Sequence, residues 1–202
     1  MSAASATTLP AYFEAIYAED DPFGYRSRWY EARKRALLLA ALPQARVGTA
    51  WELGCSNGEL TAALAPRCER LLATDLDARA VALAQARTAS LQHVRVECMQ
   101  HPAQWPDGRF DLVVFSEVGY YFDVGDLDLT ARRLRDTLSA DGVLVACHWR
   151  HAFDAAPLCG GQVHATLART FGRGLFLYED ADLRLEAWSM QDRSVAQREA
   201  LR

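Results

Sequence analysis

The chain has 202 residues, of which 50% are hydrophobic and 24% are charged, and its formal net charge at pH 7 is −4. This length and composition are typical of one folded domain, and the mild negative charge argues against a nucleic-acid partner, which would require a basic face. No apolar run approaches the ~18 residues of a membrane-spanning helix, so we predict no membrane partner.

The cysteines and the N-terminus indicate the cellular compartment. Five cysteines are present, at positions 55, 68, 98, 147 and 159, and none of them forms a CxxC pair. We therefore predict reduced, mostly buried thiols in a cytoplasmic protein. The first ten residues, MSAASATTLP, lack the basic and apolar regions of a signal peptide and predict a short disordered tail.

Hydrophobic spacing divides the chain into alternating helices and strands. Helices are predicted over 9–18, 27–42, 58–65, 77–90, 127–138 and 164–170, with the turn DDPFGY between the first two and Asp77 as an N-cap. Strands are predicted over 47–53, 70–75, 93–98, 110–116 and 143–148, with Gly142 ending the helix before the last of them. The segments RGLFLYE and LRLEAWSM predict a closing antiparallel hairpin, with DAD near its turn.

This order of elements predicts the fold class. Strands that alternate with helices are typical of a doubly wound α/β fold. We predict a Rossmann-like, seven-stranded, mostly parallel sheet with a C-terminal antiparallel hairpin and helices on both faces. Residues 46–202 would form this core and residues 1–45 a helical lid, all within one domain. Such sheets bind ligands at the carboxyl ends of their strands.

The stretch WELGCSNGEL follows the first predicted strand, where a ligand is expected. It does not match the GxGxxG loop of dinucleotide-binding proteins, and it has no lysine of the kind a P-loop requires. What remains is a tight turn with little side-chain bulk and an acidic residue, Glu52, at the end of the strand. The turn therefore suits a small, positively charged ligand, with Gly54, Cys55, Ser56 and Gly58 as contacts.

Asp75 is the second predicted contact, because it ends the second strand, 21 residues after Gly54. A carboxylate in this position can accept hydrogen bonds from both hydroxyls of a ribose. Each such charge-assisted bond contributes about 1.5–3 kcal/mol. Leu76 would offer an apolar edge to a purine ring. Asp75 could instead only cap a helix, but Asp77 already fills that role.

Three motifs, ExGxSxG, ATDLD and FDLVVFSEV, resemble those of the class I methyltransferases that use S-adenosylmethionine. The resemblance implies this cofactor and places Ser116 beside it. The usual motif has glycine where Ser56 stands, so we expect the turn to persist with Ser56 outside the positive-φ region. Many members bind the adenine amine through an aspartate after the third strand, and here Met99, Gln100 or His101 would have to substitute.

A narrower resemblance extends over most of the chain. The segments DPFGYRSRWYEARK, APRCERLLATD, SEVGYYF and HWRHAFDAAPLCGGQVH resemble the nodulation protein S group, N-methyltransferases of chitooligosaccharides and their bacterial relatives. This resemblance implies N-methylation of an amine on a small or sugar-like acceptor. The alternatives are an O-methyltransferase for a small hydroxylated metabolite, a nicotinamide-dependent oxidoreductase and a protein that holds S-adenosylmethionine without using it. The oligomeric state is left open.

Residues after the fourth and fifth strands are the candidates for chemistry. We predict that Glu117 or His148 is the general base that takes or holds the amine proton. Glu117 could instead belong to a structural ion pair. The predicted acceptor-binding residues are Tyr25, Tyr120, Tyr121, Trp149 and Arg150, although the tyrosines could also be packing residues. We expect no metal site, because the histidines at 148, 151 and 164 have no cysteine or carboxylate at suggestive spacing.

Overall fold

The structure is a computed structural model that describes residues 7–8 and 10–202. Most of the predicted N-terminal tail lies outside the described residues. For residues 7, 8 and 10 the prediction of disorder is wrong, because this part of the chain is hydrogen-bonded to the rest of the protein or is helical. The amide of Thr8 donates to the carbonyl of Tyr121 at 2.8 Å, and Pro10 begins the first helix.

The helices and strands alternate as predicted once the first strand begins. The helices are α1 Pro10–Ile16, α2 Trp29–Ala41, α3 Glu59–Leu64, α4 Ala78–Arg87, α5 Val124–Thr137, α6 Gly160–Phe171 and α7 Val195–Arg198. The strands are β1 Val47–Leu53, β2 Cys68–Asp75, β3 Val94–Cys98, β4 Phe110–Ser116, β5 Leu138–Trp149, β6 Phe176–Glu179 and β7 Leu183–Ser189. Two 3₁₀ turns, Ala65–Arg67 and Gly119–Tyr121, connect α3 to β2 and β4 to α5.

The seven strands form one sheet in the order β3-β2-β1-β4-β5-β7-β6. Strands β1 to β5 pair in parallel, and β7 runs antiparallel to both of its neighbours, β5 and β6. The predicted fold class is therefore confirmed. The carboxyl ends of β1, β2, β4 and β5 meet at one edge of the sheet, which is where such folds bind ligands.

The central strands are buried on both faces, which explains their continuous apolar runs. In β4, Val113 and Phe115 belong to the core on one face, while Leu112 and Val114 belong to the core on the other. Within the described part of the chain, no helix is long and apolar enough to cross a membrane. All five cysteines are free thiols.

Several boundaries differ from the prediction. Helix α5 begins at Val124 and not at 127, because the side chain of Asp123 accepts from the amide of Asp126 and caps the helix. Helix α6 begins at Gly160 and not at 164. Strand β5 begins at Leu138, so Gly142 lies within the strand, next to a register shift against β4, and does not end the helix before it. The short helix α7 was not predicted.

Candidate active site

A cavity of about 510 Å³ lies at the carboxyl edge of the sheet, between the strand ends and the N-terminal segment. Its lining is mostly apolar and aromatic, with a few charged side chains, as in most small-molecule sites. Among the predicted site residues, the following line it: Tyr25, Gly54, Ser56, Asp75, Leu76, Met99, Gln100, His101, Ser116, Glu117, Tyr120, Tyr121 and Trp149.

The turn after β1 is built on left-handed backbone. Gly54 has φ +79°, Ser56 has φ +48° and Gly58 has φ +80°. The expectation that Ser56 avoids positive φ is therefore wrong. Its strain is offset by local bonds, since the Ser56 amide donates to Asp75 at 2.8 Å and its hydroxyl accepts from Tyr17 at 2.6 Å. A Cβ at Gly58 would come within 2.8 Å of the Cα of Ala84, so α4 can approach only a glycine here.

The carboxylate of Asp75 faces the cavity and organises the turn. Its Oδ2 accepts from the amide of Ser56 at 2.8 Å, and its Oδ1 accepts from the amide of Asp77 at 3.1 Å. Burial raises the pKa of Asp75 to about 6, against the lowering effect of these backbone donors. Each oxygen retains acceptor capacity toward the cavity. This arrangement fits a ligand that carries two adjacent hydroxyls, as the sequence predicts.

A second, much smaller pocket of about 30 Å³ adjoins the cavity beside α2 and α3, and it is lined by Glu52 and Cys55. Glu52 Oε2 and Asn57 Oδ1 are buried without a hydrogen-bond partner among the described residues. Burial raises the pKa of Glu52 to about 8. A cation with N–H groups bound here would donate to these oxygens and would favour ionisation of Glu52, which its raised pKa keeps largely protonated at pH 7. Gly58, also a predicted contact, lines neither space and acts through the backbone of the turn.

The segment after β3 approaches the site where an adenine ring is expected. The amide of Met99 donates to the carbonyl of Asp75 at 2.8 Å. Both ring nitrogens of His101 are engaged, with Thr74 Oγ1 at 3.0 Å and with the carbonyl of Gln104 at 2.8 Å. Burial lowers the pKa of His101 to about 4, so its ring is neutral at pH 7. The side chain of Gln100 remains available for a polar edge of a ligand.

Glu117 lies at the carboxyl end of β4 and lines the cavity. Its Oε1 accepts from Lys34 Nζ at 3.1 Å, and its Oε2 accepts from the amide of Trp149 at 3.2 Å and from the hydroxyl of Tyr120. Its backbone is left-handed, with φ +59°. Glu117 thus belongs to an ion pair and also borders the cavity, and its role as a general base stays a prediction.

Lys34 was missed by the sequence analysis. Its ammonium is buried between two carboxylates, 2.8 Å from Glu31 and 3.1 Å from Glu117. Burial alone would lower the pKa of Lys34, but the two carboxylates outweigh it and raise the pKa. We call Lys34, Glu31 and Glu117 the acidic group, because it carries one positive and two negative charges when all three side chains ionise. The cavity is consequently acidic beside Glu117, a setting that stabilises a cationic ligand.

Aromatic rings surround this acidic group. The rings of Tyr120 and Phe153 pack edge to face at 5.1 Å, as do those of Tyr30 and Trp149. Burial raises the pKa of Tyr120 well above 10, so its hydroxyl stays a hydrogen-bond donor. Aromatic faces of this kind bind cations and the apolar faces of rings.

Two of the residues predicted for catalysis or acceptor binding, His148 and Arg150, lie outside the cavity. His148 is fully buried behind the sheet edge, where its Nε2 accepts from the amide of Gly119 at 3.1 Å. It cannot reach an acceptor directly, and burial lowers its pKa well below 6.5, so the structure contradicts its assignment as the base. Arg150 turns away from the cavity and pairs with Glu179 at 3.2 Å. Alternation along β5 places Trp149 on the cavity side and His148 away from it. Arg150 follows the end of the strand.

The N-terminal segment covers the cavity. Phe13 packs edge to face on Tyr121, with ring centroids 4.9 Å apart, and Tyr17 reaches the turn after β1 through Ser56. The proposed lid function of this segment stays a prediction. Its contacts show how a ligand in the cavity would be shielded from water on this side.

The strand order, the single antiparallel strand β7, the turn after β1 and the carboxylate that ends β2 define the fold of the class I S-adenosylmethionine-dependent methyltransferases. The chain matches the family model of nodulation protein S (NodS) over residues 11–168 and belongs to this family.

Individual relatives agree with this assignment. Nodulation protein S of Rhizobium tropici is 31% identical over 63% of this chain and 55% of its own length. That of Bradyrhizobium diazoefficiens is 31% identical over 65% of this chain and 64% of its own length. The chain thus matches less than two thirds of the length of these curated relatives.

Solved structures match over more of their length. A candidate methyltransferase from Pseudomonas syringae is 47% identical, with a TM-score of 0.72, and the match covers 80% of this chain and 99% of that one. The N-methyltransferase NodS from Bradyrhizobium japonicum, solved with S-adenosyl-L-homocysteine, is 26% identical, with a TM-score of 0.78, and the match covers 89% and 96%.

Proposed function

We propose that this protein transfers a methyl group from S-adenosylmethionine to the nitrogen of an amine on a small or sugar-like acceptor. The observation that carries the proposal is the carboxylate of Glu117, which lines the cavity at the end of β4 and is held by donors from three separate elements. Membership of the nodulation protein S family supports the reaction class. Its relative from Bradyrhizobium japonicum is an N-methyltransferase.

The residues around the turn after β1 fit the cofactor. Asp75 would accept from its ribose hydroxyls, Leu76 and the segment 99–101 would border its adenine, and Glu52 with Asn57 would receive its amino end. When bound, S-adenosylmethionine supplies an electrophilic methyl group on a cationic sulfur. Asp75, with a pKa of about 6, is mostly ionised at pH 7, and its negative charge favours a cationic ligand over a neutral one.

Glu117 has an electrostatic role in this proposal. Its carboxylate accepts a hydrogen bond from the N–H of the bound amine and stabilises the positive charge that this nitrogen acquires. Lys34 holds the carboxylate of Glu117 in place through an ion pair at 3.1 Å. The aromatic rings of Tyr120 and Trp149 exclude water and hold the acceptor in position. After transfer, Glu117, which lines the cavity, is the residue that we assign to receive the released proton.

A sugar-like acceptor follows from the family resemblance and fits the aromatic lining. Tyrosine and tryptophan faces pack well on the apolar face of a pyranose ring. The same lining fits other rings, so the amine is the better-supported feature of the acceptor.

The test is a methyl-transfer assay with S-adenosylmethionine that carries a ¹³C-labelled methyl group. The acceptor panel contains glucosamine, partly deacetylated chitooligosaccharides, N-acetylglucosamine and catechol. We expect label on nitrogen, located by mass spectrometry and NMR, for acceptors with a free amine and none for N-acetylglucosamine. Transfer to catechol alone would support the O-methyltransferase, and binding of cofactor without transfer to any member of a broad amine panel would support the non-catalytic alternative.

A further inference from the structure

Three buried polar side chains form a hydrogen-bonded chain behind the cavity, and none of them lines it. His148 Nδ1 lies 3.2 Å from His164 Nε2, and His164 Nδ1 lies 2.5 Å from Glu186 Oε2. The exposed fractions of His148, His164 and Glu186 are 0%, 1% and 8%. We call these three residues the histidine relay. The relay links β5, α6 and β7.

The relay can hold its protons in only one order. The amide of Gly119 donates to His148 Nε2, so that nitrogen carries no proton. The proton of His148 is therefore on Nδ1 and is donated to His164 Nε2. His164 in turn carries its proton on Nδ1 and donates it to Glu186, which accepts as a carboxylate.

Any other proton count breaks this order. A proton added to His148 would place a donor opposite the Gly119 amide. A proton added to His164 would make both of its nitrogens donors. His148 Nδ1 would then have to accept, its proton would move to Nε2, and Nε2–H would face the Gly119 amide donor. Burial alone would raise the pKa of Glu186, but His164 and Arg184 outweigh it and lower that pKa to about 2. Arg184 holds the carboxylate through two bonds, of 2.9 and 3.0 Å.

The end of the relay touches the turn that carries the chemistry. Gly119 lies within the turn 117–121, between Glu117 and Tyr120. A Cβ on Gly119 would come within 2.5 Å of Val163 and 3.0 Å of His148 Nε2, so only glycine brings its amide this close to the ring. The left-handed backbone of Glu117 is strained and persists only where its surroundings hold it. The bond from Gly119 to the relay is one of these holding contacts.

We infer that the histidine relay positions the turn 117–121, so that His148, His164 and Glu186 act on the reaction through the placement of Glu117 and Tyr120. Glu186 is then a positioning residue that reaches the site from β7. The placement itself is independent of the proposed methyl transfer, and only its kinetic consequence rests on that function.

The first experiment measures tautomers on the wild-type chain. Long-range ¹H–¹⁵N NMR of the imidazole rings at neutral pH should show His148 and His164 as neutral rings with the proton on Nδ1, assigned with His148→Gln and His164→Gln. His93 serves as an internal reference, because its Nε2 lies 3.0 Å from the carbonyl of Ala65 and should carry the proton. A His148 ring with its proton on Nε2, or a cationic one, would overturn the inference without any activity assay.

The second experiment uses Glu186→Leu, which removes the carboxylate at similar side-chain volume. Without an acceptor opposite it, His164 Nδ1 no longer has to carry the proton, so the relay can run in the opposite direction and the Gly119 amide loses its acceptor. We expect exchange of the Gly119 amide with solvent to become at least tenfold faster. We expect kcat to fall by roughly tenfold to a hundredfold, as for a small misplacement of catalytic groups. The Kd for S-adenosylhomocysteine should stay within twofold, because Asp75 accepts from the amides of Ser56 and Asp77 and from no residue of the relay.

The control is His93→Gln at the opposite edge of the sheet, which should leave kcat unchanged. If Glu186→Leu does not fold, His164→Gln is used instead, with the same readouts. Unchanged kcat together with unchanged Gly119 exchange would refute the positioning role. If no acceptor is methylated by the wild-type protein, the proposed function fails while the tautomers and the amide exchange still decide the inference.

Discussion

Replacement of Asp75 by asparagine tests the predicted cofactor site most directly. In the structure each carboxylate oxygen of Asp75 accepts one backbone amide, from Ser56 and from Asp77, and keeps capacity toward the cavity. Asparagine retains one oxygen, and its NH₂ group would face one of these amide donors. The variant therefore loses one charge-assisted bond to the ligand and weakens the other.

The size of the effect follows from these bonds. A hydrogen bond to a charged group contributes about 1.5–3 kcal/mol, so we expect a total loss of about 3 kcal/mol in binding. This loss corresponds to roughly a hundredfold higher Kd, since 1.4 kcal/mol is a factor of ten. Isothermal titration calorimetry with S-adenosylhomocysteine at pH 7.5 measures it directly.

Asp77→Asn is the matched control. Asp77 accepts from the amides of Arg79 and Ala80 at 2.9 Å each and does not line the cavity. Asparagine caps helices as well as aspartate, so stability and affinity should both be retained. A Kd for Asp75→Asn within threefold of the wild-type value, or an equal loss in the control, would refute the assignment of Asp75 to the cofactor.

The same titration has a pH dependence with a definite sign. Because burial raises the pKa of Asp75 to about 6, the ligand-free protein binds this proton more tightly than the unfolded chain does. Its contribution to stability is thus full below pH ~4 and is lost as the pH rises through about 6. The ligand hydroxyls prefer the ionised form, so affinity should rise between pH 5 and 7 and then level off. Asp75→Asn should remove this rise, and an identical rise in the variant would assign it to another group.

Three further substitutions test the acidic group and the N-terminal segment that covers the cavity. Glu117→Gln should lower kcat by roughly a hundredfold with the Kd for S-adenosylhomocysteine little changed, and equal losses in both would assign Glu117 to cofactor binding instead. Lys34→Met should cost about 3 kcal/mol of unfolding free energy at pH 8 in urea titrations. The loss should be smaller at pH 5, where Glu31, whose pKa burial raises, can protonate, and a loss independent of pH would argue against the buried ion pair. Tyr17→Phe should cost about 1 kcal/mol, but nearly nothing when Ser56 is already glycine, and additive losses in this double-mutant cycle would exclude their hydrogen bond.

Much of the fold and of the cofactor side of the site could be predicted from the sequence, because strong local signals mark them. Continuous apolar runs indicated the central strands, and Gly54, Gly58 and Asp75 follow those runs at the edge where ligands bind. These residues depend on backbone geometry near their own strand ends. Neighbours along the chain are therefore enough to place them.

The acceptor side of the site was harder to predict from the sequence, because it depends on which face of a helix or strand each side chain occupies. His148 alternates with Cys147 and Trp149 along β5, and since both faces of that strand are apolar, hydrophobicity does not show which residue enters the cavity. Lys34 lies four residues after Tyr30 and four before the buried Leu38, so helical spacing placed it on the inner face of α2. That signal was available, but a lysine is so rarely buried that the spacing alone did not indicate an ion pair.

The insertion of β7 between β5 and β6 also affects the solubility of the chain. Strand β5 is apolar from Val143 to Cys147 and pairs with β7 at seven positions, from Val143 with Ser189 to Trp149 with Leu183. Without β7 this row of amides and carbonyls would be a template for strands of other molecules, which is the usual origin of aggregation. On this side of the sheet the edge strand is β6, which is only four residues long and ends at Glu179, and so short a strand offers little for a partner strand to pair with. Truncations or destabilising changes in this hairpin should therefore reveal themselves first as precipitation during expression.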